Sequence, residues 1–211
     1  GQLTREIRFT ERKEMGGTME VDYRKTIDYL RETGAYPLPE LVNIAIPNAR
    51  RELLRGLDYF TGGNAVWLPE YDEVAAWLSG NNGRGLLCQG NCGRGKTLIC
   101  GRIIPVLLHD YHNKIVSCYS TQQMNVDIDE VTRHKIIYID DVGEENVSVK
   151  YGERRMAVPE IVDEAEKRGK LLLLTTNATS EELEQKYGER TMDRLVAITK
   201  LVKFKGESLR K

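Results

Sequence analysis

The fold is decided by the octet Gly90-Asn91-Cys92-Gly93-Arg94-Gly95-Lys96-Thr97, which matches the Walker A pattern G-x-x-x-x-G-K-[ST] at every fixed position. The octet follows the apolar run Gly85 to Gln89 and leads into the helical pattern Lys96 to His109. In this pattern the glycines let successive backbone N–H groups curl around phosphates, while the lysine reaches the outer phosphates and the threonine hydroxyl ligates Mg²⁺. We therefore predict a site for ATP or ADP with Mg²⁺ over Gly90 to Leu98.

The length and composition of the chain favour one α/β domain with a small N-terminal extension. The sequence has 211 residues, of which 40% are hydrophobic and 30% charged, enough for one core of ordinary size. Residues 1–40 are predicted to form the extension, a polar tail followed by a helix over Val21 to Thr33. Alternating Leu3, Ile7 and Phe9 suggest a strand within the tail. Residues 41–211 are predicted to form the nucleotide-binding domain.

The overall charge does not indicate a nucleic-acid-binding protein. The 31 Lys and Arg residues are balanced by 32 Asp and Glu, a formal charge of -1, so contact with single-stranded DNA would need local patches. Three basic clusters are candidates: Arg50-Arg51-Arg55, Arg133-His134-Lys135 and Lys200-Lys203-Lys205. The apolar stretches are too short to span a bilayer and the N-terminus has no signal-peptide core, so we expect a cytoplasmic protein without a membrane partner.

The four cysteines predict thiols rather than a metal centre. Cys88, Cys92, Cys100 and Cys118 include no C-x-x-C pair. We expect them to be reduced, with Cys92 placed inside the phosphate loop.

Apolar runs alternate with helical patterns in the second part of the chain. The runs are Leu86 to Gln89, Lys114 to Tyr119, Ile136 to Asp140, Leu171 to Thr176 and Leu201 to Lys205. The helical patterns are Lys96 to His109, which Pro105 should kink or shorten, Glu160 to Arg168, and Ser180 to Ile198. Such alternation predicts an α/β fold with a parallel sheet sandwiched between helices and a nucleotide at the carboxyl ends of its strands.

A second strand ends in two carboxylates. The run Ile136 to Ile139 leads directly into Asp140-Asp141, which has the form of a Walker B element. Asp140 would hold the Mg²⁺ shell, and Asp141 would polarise the attacking water. An apolar strand that ends in Asp-Asp is common by itself. The Walker B interpretation is stronger here because Asp140 follows Lys96 of the phosphate loop by 44 residues.

A third apolar strand ends in Thr175-Thr176-Asn177. Asn177 would lie beside the outermost phosphate and orient the water, a role called sensor 1 in ATPases of the AAA+ class. A turn-forming Asn after a strand is the structural alternative.

These motifs, together with Gly188-Glu189-Arg190-Thr191-Met192-Asp193-Arg194, resemble in content and order the bacterial helicase loaders of the DnaC type and the related IstB transposition helpers, both members of AAA+. The likeness covers roughly residues 44–210. It includes the ending Gly206-Glu207-Ser208-Leu209-Arg210, which is similar to the closing Gly-x-Ser-x-Arg of that family.

The resemblance implies an AAA+ P-loop NTPase core with a short helical N-terminal extension and no full C-terminal lid. It implies Mg²⁺-dependent ATP hydrolysis in a homo-oligomer whose ATP site is shared between neighbouring protomers. Arg194 would be the arginine finger that reaches a neighbour's ATP, with Arg190 as second choice. The partner would be a replicative helicase or a transposase, with single-stranded DNA as a further ligand.

The chain departs from the family at several points. The family usually has Asp-Glu where this chain has Asp140-Asp141, and the shorter second carboxylate predicts slow turnover or a protein that acts mainly by binding ATP. The stretch from Tyr119 to Lys135 is shorter than the corresponding stretch of the loaders, in which a helix meets single-stranded DNA. Residues 1–40 do not resemble the helicase-binding domain of the loaders. The segment Lys150 to Met156 repeats Lys186 to Met192 at six of seven positions, which makes Arg154 a candidate second interface arginine.

The sequence is compatible with four functional hypotheses. A DnaC-like helicase loader and an IstB-like transposition helper would share every site residue and differ only in partner. A nucleotide-gated interaction module with negligible hydrolysis is suggested by Asp141. A P-loop kinase is disfavoured by Asn177 and the downstream arginine pair.

Overall fold

The computed structural model describes residues 20–150 and 152–210. The predicted strand at Leu3, Ile7 and Phe9 lies outside the described residues. By their contacts the described residues form two units, which meet in sequence between Pro39 and Glu40.

The first unit contains helix α1, Tyr23–Glu32. Asp22 caps its N-terminus by accepting a hydrogen bond from the backbone N–H of Lys25 at 3.0 Å. The helix ends at Glu32 with Thr33 as its C-cap, and Gly34 follows in the left-handed conformation (φ 70°) that commonly stops a helix.

The second unit is built on a five-stranded parallel sheet. Its strands are β1 (Gly85–Gly90), β2 (Ser117–Tyr119), β3 (Ile136–Ile139), β6 (Leu171–Thr176) and β7 (Thr199–Phe204), in the order β2-β3-β6-β1-β7. Every neighbouring pair in this sheet is parallel. The α/β class and the parallel sheet predicted from the apolar runs are therefore confirmed.

Helices cover both faces of the sheet. They are α2 (Ala49–Thr61), α3 (Glu70–Ser79), α4 (Lys96–Leu98), α5 (Ile104–His112), α6 (Thr121–Val126), α7 (Ile128–Thr132), α8 (Ala157–Arg168), α9 (Ser180–Tyr187) and α10 (Glu189–Ile198). Successive strand residues point to opposite faces, so Leu86 joins the core beneath α2, α3 and α5, while Leu87 joins the core beneath α8 and α10.

The helix after the phosphate loop is interrupted by a wide turn. Between α4 and α5, Ile99–Ile103 form a π-helical segment. Pro105, which follows it, has no N–H to donate and its ring crowds the preceding turn, so a wider turn relieves the clash. The expected distortion is present, and it lies just upstream of the proline.

Two parts of the chain differ from the pattern predicted from sequence. The single helix predicted over Ser180 to Ile198 is two helices, because Gly188 has φ 88° and ψ 159°. A two-stranded antiparallel hairpin, β4 (Ser148–Lys150) and β5 (Glu153–Arg155), follows the Walker B strand and was not predicted.

The sheet register brings the strand ends to one edge. Gln89 of β1 pairs with Thr176 of β6, and Ile139 of β3 pairs with Leu174 of β6. The residues that follow these strands, including Asp140 and Asn177, therefore meet beside the phosphate loop. In the described ranges, no helix combines the length and the apolar character that crossing a bilayer requires.

Candidate functional site

A cavity of about 710 Å³ opens at the carboxyl edge of the sheet. It is bounded by the phosphate loop, the ends of β3 and β6, the end of α2 with its following turn, and the C-terminal segment. The lining residues are Leu57, Thr61, Asn64, Ala65, Val66, Tyr71, Cys92, Gly93, Gly95, Lys96, Thr97, Leu98, Asp140, Asp141, Asn177, Ser208, Leu209 and Arg210. The structure thus brings together the predicted phosphate-binding, metal-binding and water-positioning residues in one place.

The phosphate loop needs its glycines for conformation and for space. Gly93 and Gly95 have φ values of 78° and 92°, which L side chains rarely adopt. A Cβ at Gly93 would lie 2.0 Å from Oγ of Ser208, and one at Gly95 would lie 2.7 Å from the hydroxyl of Tyr71. These positions keep a cradle that an alanine would fill, which fits a loop whose N–H groups face phosphates.

A buried ion pair supports the loop from below. The guanidinium of Arg94 contacts the carboxylate of Glu70 at 2.6 Å, with both side chains less than a tenth exposed. The hydroxyl of Tyr71 donates to the carbonyl of Arg94 at 2.7 Å. Burial, together with the charge of Glu70, raises the pKa of Tyr71 to about 12, so this donor stays protonated.

The ammonium of Lys96 is fully engaged by oxygen atoms. It donates to the carbonyls of Gly90 and Asn91 at 2.8 and 2.7 Å, and to Oδ1 of Asn177 at 3.1 Å. Burial lowers the pKa of Lys96, while nearby cysteine and aspartate charges act in the opposite direction. The lysine therefore links the start of the phosphate loop to the end of β6.

The carboxylate of Asp140 is held by three hydroxyl groups. Oδ1 accepts from Thr97 at 2.9 Å, from Tyr138 at 2.5 Å and from Thr175 at 2.6 Å. Burial and the contact with Asp140 raise the pKa of Tyr138, which keeps that hydroxyl a donor. Thr97 and Asp140 are thus adjacent, and their hard oxygen atoms are of the kind that Mg²⁺ prefers.

Asp141 follows in a strained backbone conformation. Its φ is 54°, and its N–H donates to Oγ1 of Thr175 at 3.0 Å. Burial raises the pKa of the Asp141 carboxyl, and the negative charges of Asp140 and Glu144 raise it further. A carboxylate in a cavity with a raised pKa is suited to accept a proton.

Asn177 occupies the centre of a short polar chain. Its Oδ1 accepts from Lys96, and its Nδ2 donates to Oε1 of Glu144 at 3.3 Å. The sequence analysis did not identify Glu144, and it did not identify Tyr138 and Thr175 as hydrogen-bond donors to Asp140. Two of them had a signal in the sequence. Thr175 belongs to the Thr-Thr pair before Asn177, and Tyr138 precedes Asp140 by two residues, which in an extended chain places both side chains on the same face.

The apolar side of the cavity was not predicted. Leu57, Ala65 and Val66 form it, from the end of α2 and the turn that follows. An apolar wall beside a phosphate loop suits a flat heteroaromatic base. These residues carry no motif, so nothing local in the sequence marked them.

The two predicted interface arginines lie away from the cavity. Arg190 and Arg194 line a separate surface depression together with Glu166, Glu189 and Asp193. On α10, the guanidinium of Arg194 is hydrogen-bonded to Asp163 of α8 and lies 3.5 Å from Glu166. Within its own chain Arg194 is therefore paired with α8 rather than with the phosphate loop.

The repeated segment splits into two different structures. The first copy forms the hairpin β4–β5, with Tyr151 outside the described residues, while the second copy spans the end of α9 and the start of α10. Arg154 is exposed on β5, and Arg155 is bonded to Asp129 and Glu160. The sequence repeat is therefore not a structural repeat.

Several members of the predicted basic clusters are paired with acidic groups. Arg50 contacts Asp72 at 2.8 Å, Arg133 contacts Glu130 at 2.7 Å, and Lys200 lies 3.9 Å from Glu73. Such pairing reduces the positive potential that the phosphates of DNA would meet.

The fold is that of AAA+ P-loop domains, as a comparison with solved structures shows. No protein-family model matches the sequence, and the search of curated proteins found no match. Among solved structures, the chain is similar to the DnaC helicase loader, with a TM-score of 0.51 and 17% identity over 76% of this chain and 93% of that one. It is also similar to AMPPCP-bound DnaA from Aquifex aeolicus, with a TM-score of 0.52 and 16% identity over 71% of this chain and 51% of that one.

The likeness to DnaC inferred from the motifs is thus confirmed at the level of the fold. The AAA+ fold class is likewise confirmed, with a five-stranded parallel sheet between helices.

Proposed function

We propose that this chain is an ATP-binding and ATP-hydrolysing AAA+ protein that acts in DNA replication as a DnaC-like helicase loader. The observation that carries the proposal is the meeting of Lys96, Thr97, Asp140 and Asn177 around one cavity, from three strand ends. The fold shared with the DnaC helicase loader and with DnaA supports a role of this class.

ATP would be bound by the phosphate loop and its supports. The backbone N–H groups from Gly93 to Leu98 would face the phosphates, and the base would lie against Leu57, Ala65 and Val66. Thr97 and Asp140 would hold Mg²⁺, which supplies charge neutralisation on the phosphates. The three hydroxyl donors on Oδ1 of Asp140 fix the direction of its second oxygen.

Hydrolysis would depend on Asp141 and Asn177. Asp141 would accept the proton of the attacking water, and the Asn177 amide would orient that water. The shorter side chain of Asp141 and its left-handed backbone predict slow turnover. The same observation favours a second candidate function, a nucleotide-gated interaction module that reads ATP by binding it.

A homo-oligomer with shared ATP sites would complete the catalytic groups. Arg194 lies outside the cavity of its own chain, as an arginine that serves a neighbour must. A guanidinium supplied by a neighbour is worth roughly 10³ to 10⁵ in hydrolysis rate in related phosphoryl-transfer systems. A replicative helicase and single-stranded DNA are the partners that we propose for the assembly.

The deciding experiment measures Mg·ATP binding and single-turnover hydrolysis, with and without single-stranded DNA. We expect the wild type to bind Mg·ATP and to hydrolyse it faster with DNA, and Lys96→Ala to lose binding. Arg168→Ala, which removes an exposed cation on α8 outside the cavity, should resemble the wild type. Absence of Mg·ATP binding by the wild type would overturn the proposal. Binding without hydrolysis would favour the interaction module, and phosphate transfer to a small acceptor would reveal a kinase.

A further inference from the structure

Two exposed aromatic side chains lie near the end of α2. Tyr59 is 81% exposed, and Phe60, 36% exposed, meets it edge to face with the ring centroids 5.1 Å apart. Neither residue lines the cavity beside the phosphate loop, although Leu57 and Thr61 of the same helix do. One side of α2 therefore faces the cavity, while another side presents two aromatic rings to solvent.

Three arginines flank these rings. Arg51 and Arg55 precede Tyr59 on α2 by about two turns and one turn, and all three side chains are exposed. The guanidinium of Arg102, in the π-helical segment, lies 6.0 Å from the centre of the Phe60 ring, within the range of a cation–π contact. We call Arg51, Arg55, Tyr59, Phe60 and Arg102 the aromatic–arginine patch.

The two segments that carry the patch are packed closely together. A Cβ at Gly56 of α2 would lie only 2.7 Å from Cγ2 of Ile103 in the π-helical segment. Leu53 and Ile103 belong to the same buried core. The packing of the backbone, and not side-chain rotamers alone, therefore brings Arg102 beside the aromatic pair.

The cations of the patch are available to a ligand. Within the part of the chain that the structure describes, neither Arg51 nor Arg102 has an ion pair with a carboxylate. Arg55 contacts Glu52 at 3.1 Å, but its guanidinium is exposed and such a pair contributes little to stability. Asp58 is the exposed carboxylate next to the rings. Two aromatic faces and three exposed cations thus share one surface.

We propose that the aromatic–arginine patch binds single-stranded DNA, with bases stacked on its two rings and phosphates contacted by its three arginines. Unpaired bases expose faces that stack on aromatic side chains, and the arginines complement the charge of the backbone. A duplex keeps its base faces stacked inside, so the rings favour a single strand. This inference rests on the single-stranded DNA binding included in the proposed function. DNA on this side of α2 would act on hydrolysis through Leu57 and Thr61, which line the cavity.

The test measures binding of the full chain to a fluorescein-labelled oligothymidylate by anisotropy, over a range of salt concentrations. Tyr59→Ala should weaken binding by roughly tenfold through lost stacking, with an unchanged salt dependence. Arg102→Ala should weaken binding and reduce the slope of log K against log salt by about 0.7, the value for one phosphate contact on a single strand. Asp58→Asn removes a carboxylate beside the rings and should tighten binding.

Matched controls lie outside the patch. Tyr111→Ala on α5 and Arg168→Ala on α8 remove another exposed tyrosine and another exposed cation, and both should bind within about twofold of the wild type. The Tyr59→Ala loss should be smaller for a duplex of the same length. Basal hydrolysis of Mg·ATP should be unchanged in Tyr59→Ala, which leaves the cavity lining intact, while stimulation by DNA should fall.

The outcomes separate this inference from the proposed function. If the wild type binds both Mg·ATP and the oligonucleotide, and the patch variants bind DNA as the wild type does, the inference fails alone. Losses equal to those of the controls, or equal for duplex and single strand, would also overturn it. So would a Tyr59→Ala change in oligomeric state with unchanged DNA affinity, which would assign the patch to a protein interface. A wild type without Mg·ATP binding would contradict the proposed function, whereas patch-dependent DNA binding would still support this inference.

Discussion

The ammonium of Lys96 and Oδ1 of Asn177 are 3.1 Å apart, which connects the phosphate loop directly to the end of β6. The other end of the Asn177 amide reaches Glu144, three residues beyond Asp141. A phosphate that draws Lys96 away from Asn177 would therefore free the amide to rearrange. Its hydrogen bond to Glu144 would then change as well. In the proposed function, ATP binding and hydrolysis therefore share this contact.

Asn177→Ala should separate binding from turnover. The phosphate loop remains complete, so we expect the Kd for Mg·ATP to stay within about threefold, while kcat falls by about a hundredfold because the water loses its orienting amide. Equilibrium titration and steady-state ATPase assays measure the two quantities. An unchanged kcat would exclude Asn177 from the reaction.

The acid limb of the ATPase pH profile should follow Asp141. Its pKa is raised by burial and by its acidic neighbours, so the active carboxylate is present above the raised pKa and is lost as the pH falls through it. This loss should begin at a higher pH than that of an ordinary aspartate. Glu144→Gln removes one of the negative neighbours and should shift the limb to lower pH. Glu164→Gln, on α8, is the control, and an equal shift there would contradict this assignment.

Mixing two inactive variants should test whether the active site is shared. Arg194→Ala keeps an intact phosphate loop, and Lys96→Ala keeps an intact arginine. In a randomly mixed ring about one quarter of the interfaces would pair the two intact halves, so about a quarter of wild-type turnover should return. Purely additive activity would show that Arg194 does not act across an interface. Mixing Arg154→Ala or Arg190→Ala with Lys96→Ala in the same way tests the other two candidate arginines.

Nucleotide should shield Cys92 from alkylation. Cys92 is exposed and lines the cavity, whereas Cys118 is exposed elsewhere and Cys88 and Cys100 are buried. With saturating Mg·ATP we expect iodoacetamide labelling of Cys92 to slow markedly while Cys118 reacts as before, measured by mass spectrometry of peptides. Equal labelling of Cys92 with and without ATP would mean that nucleotide does not cover this cavity.

Removing Glu70 should destabilise the protein because it leaves the buried guanidinium of Arg94 without its carboxylate. We expect Glu70→Ala to lower the free energy of unfolding by about 3–5 kcal/mol in urea titrations. Arg168→Ala breaks an exposed pair with Glu164 and should cost about 0.5 kcal/mol or less. Similar losses in the two variants would contradict the importance assigned to the buried pair.

Much of the fold and site was predictable because local patterns report it. The octet begins at the last residue of β1, Asp140 follows β3, and Asn177 follows β6. These strands are almost entirely buried, and parallel strands place their ends at one edge. The break at Gly188 was missed because the helical periodicity continues across it. The wall formed by Ala65 and Val66 depends on tertiary packing alone, which no local pattern records.

The three hydroxyl groups on one oxygen of Asp140 have a consequence for how this site tolerates change. They come from the phosphate-loop helix, from Asp140's own strand and from the neighbouring strand, so each alone is partly redundant for fixing the rotamer. Losing one donor leaves two, and the penalty for losing a second should exceed that for the first. Replacements at positions 138 and 175, whose side chains have no proposed role beyond orienting Asp140, are therefore expected to be epistatic, with each single replacement tolerated and the pair harmful.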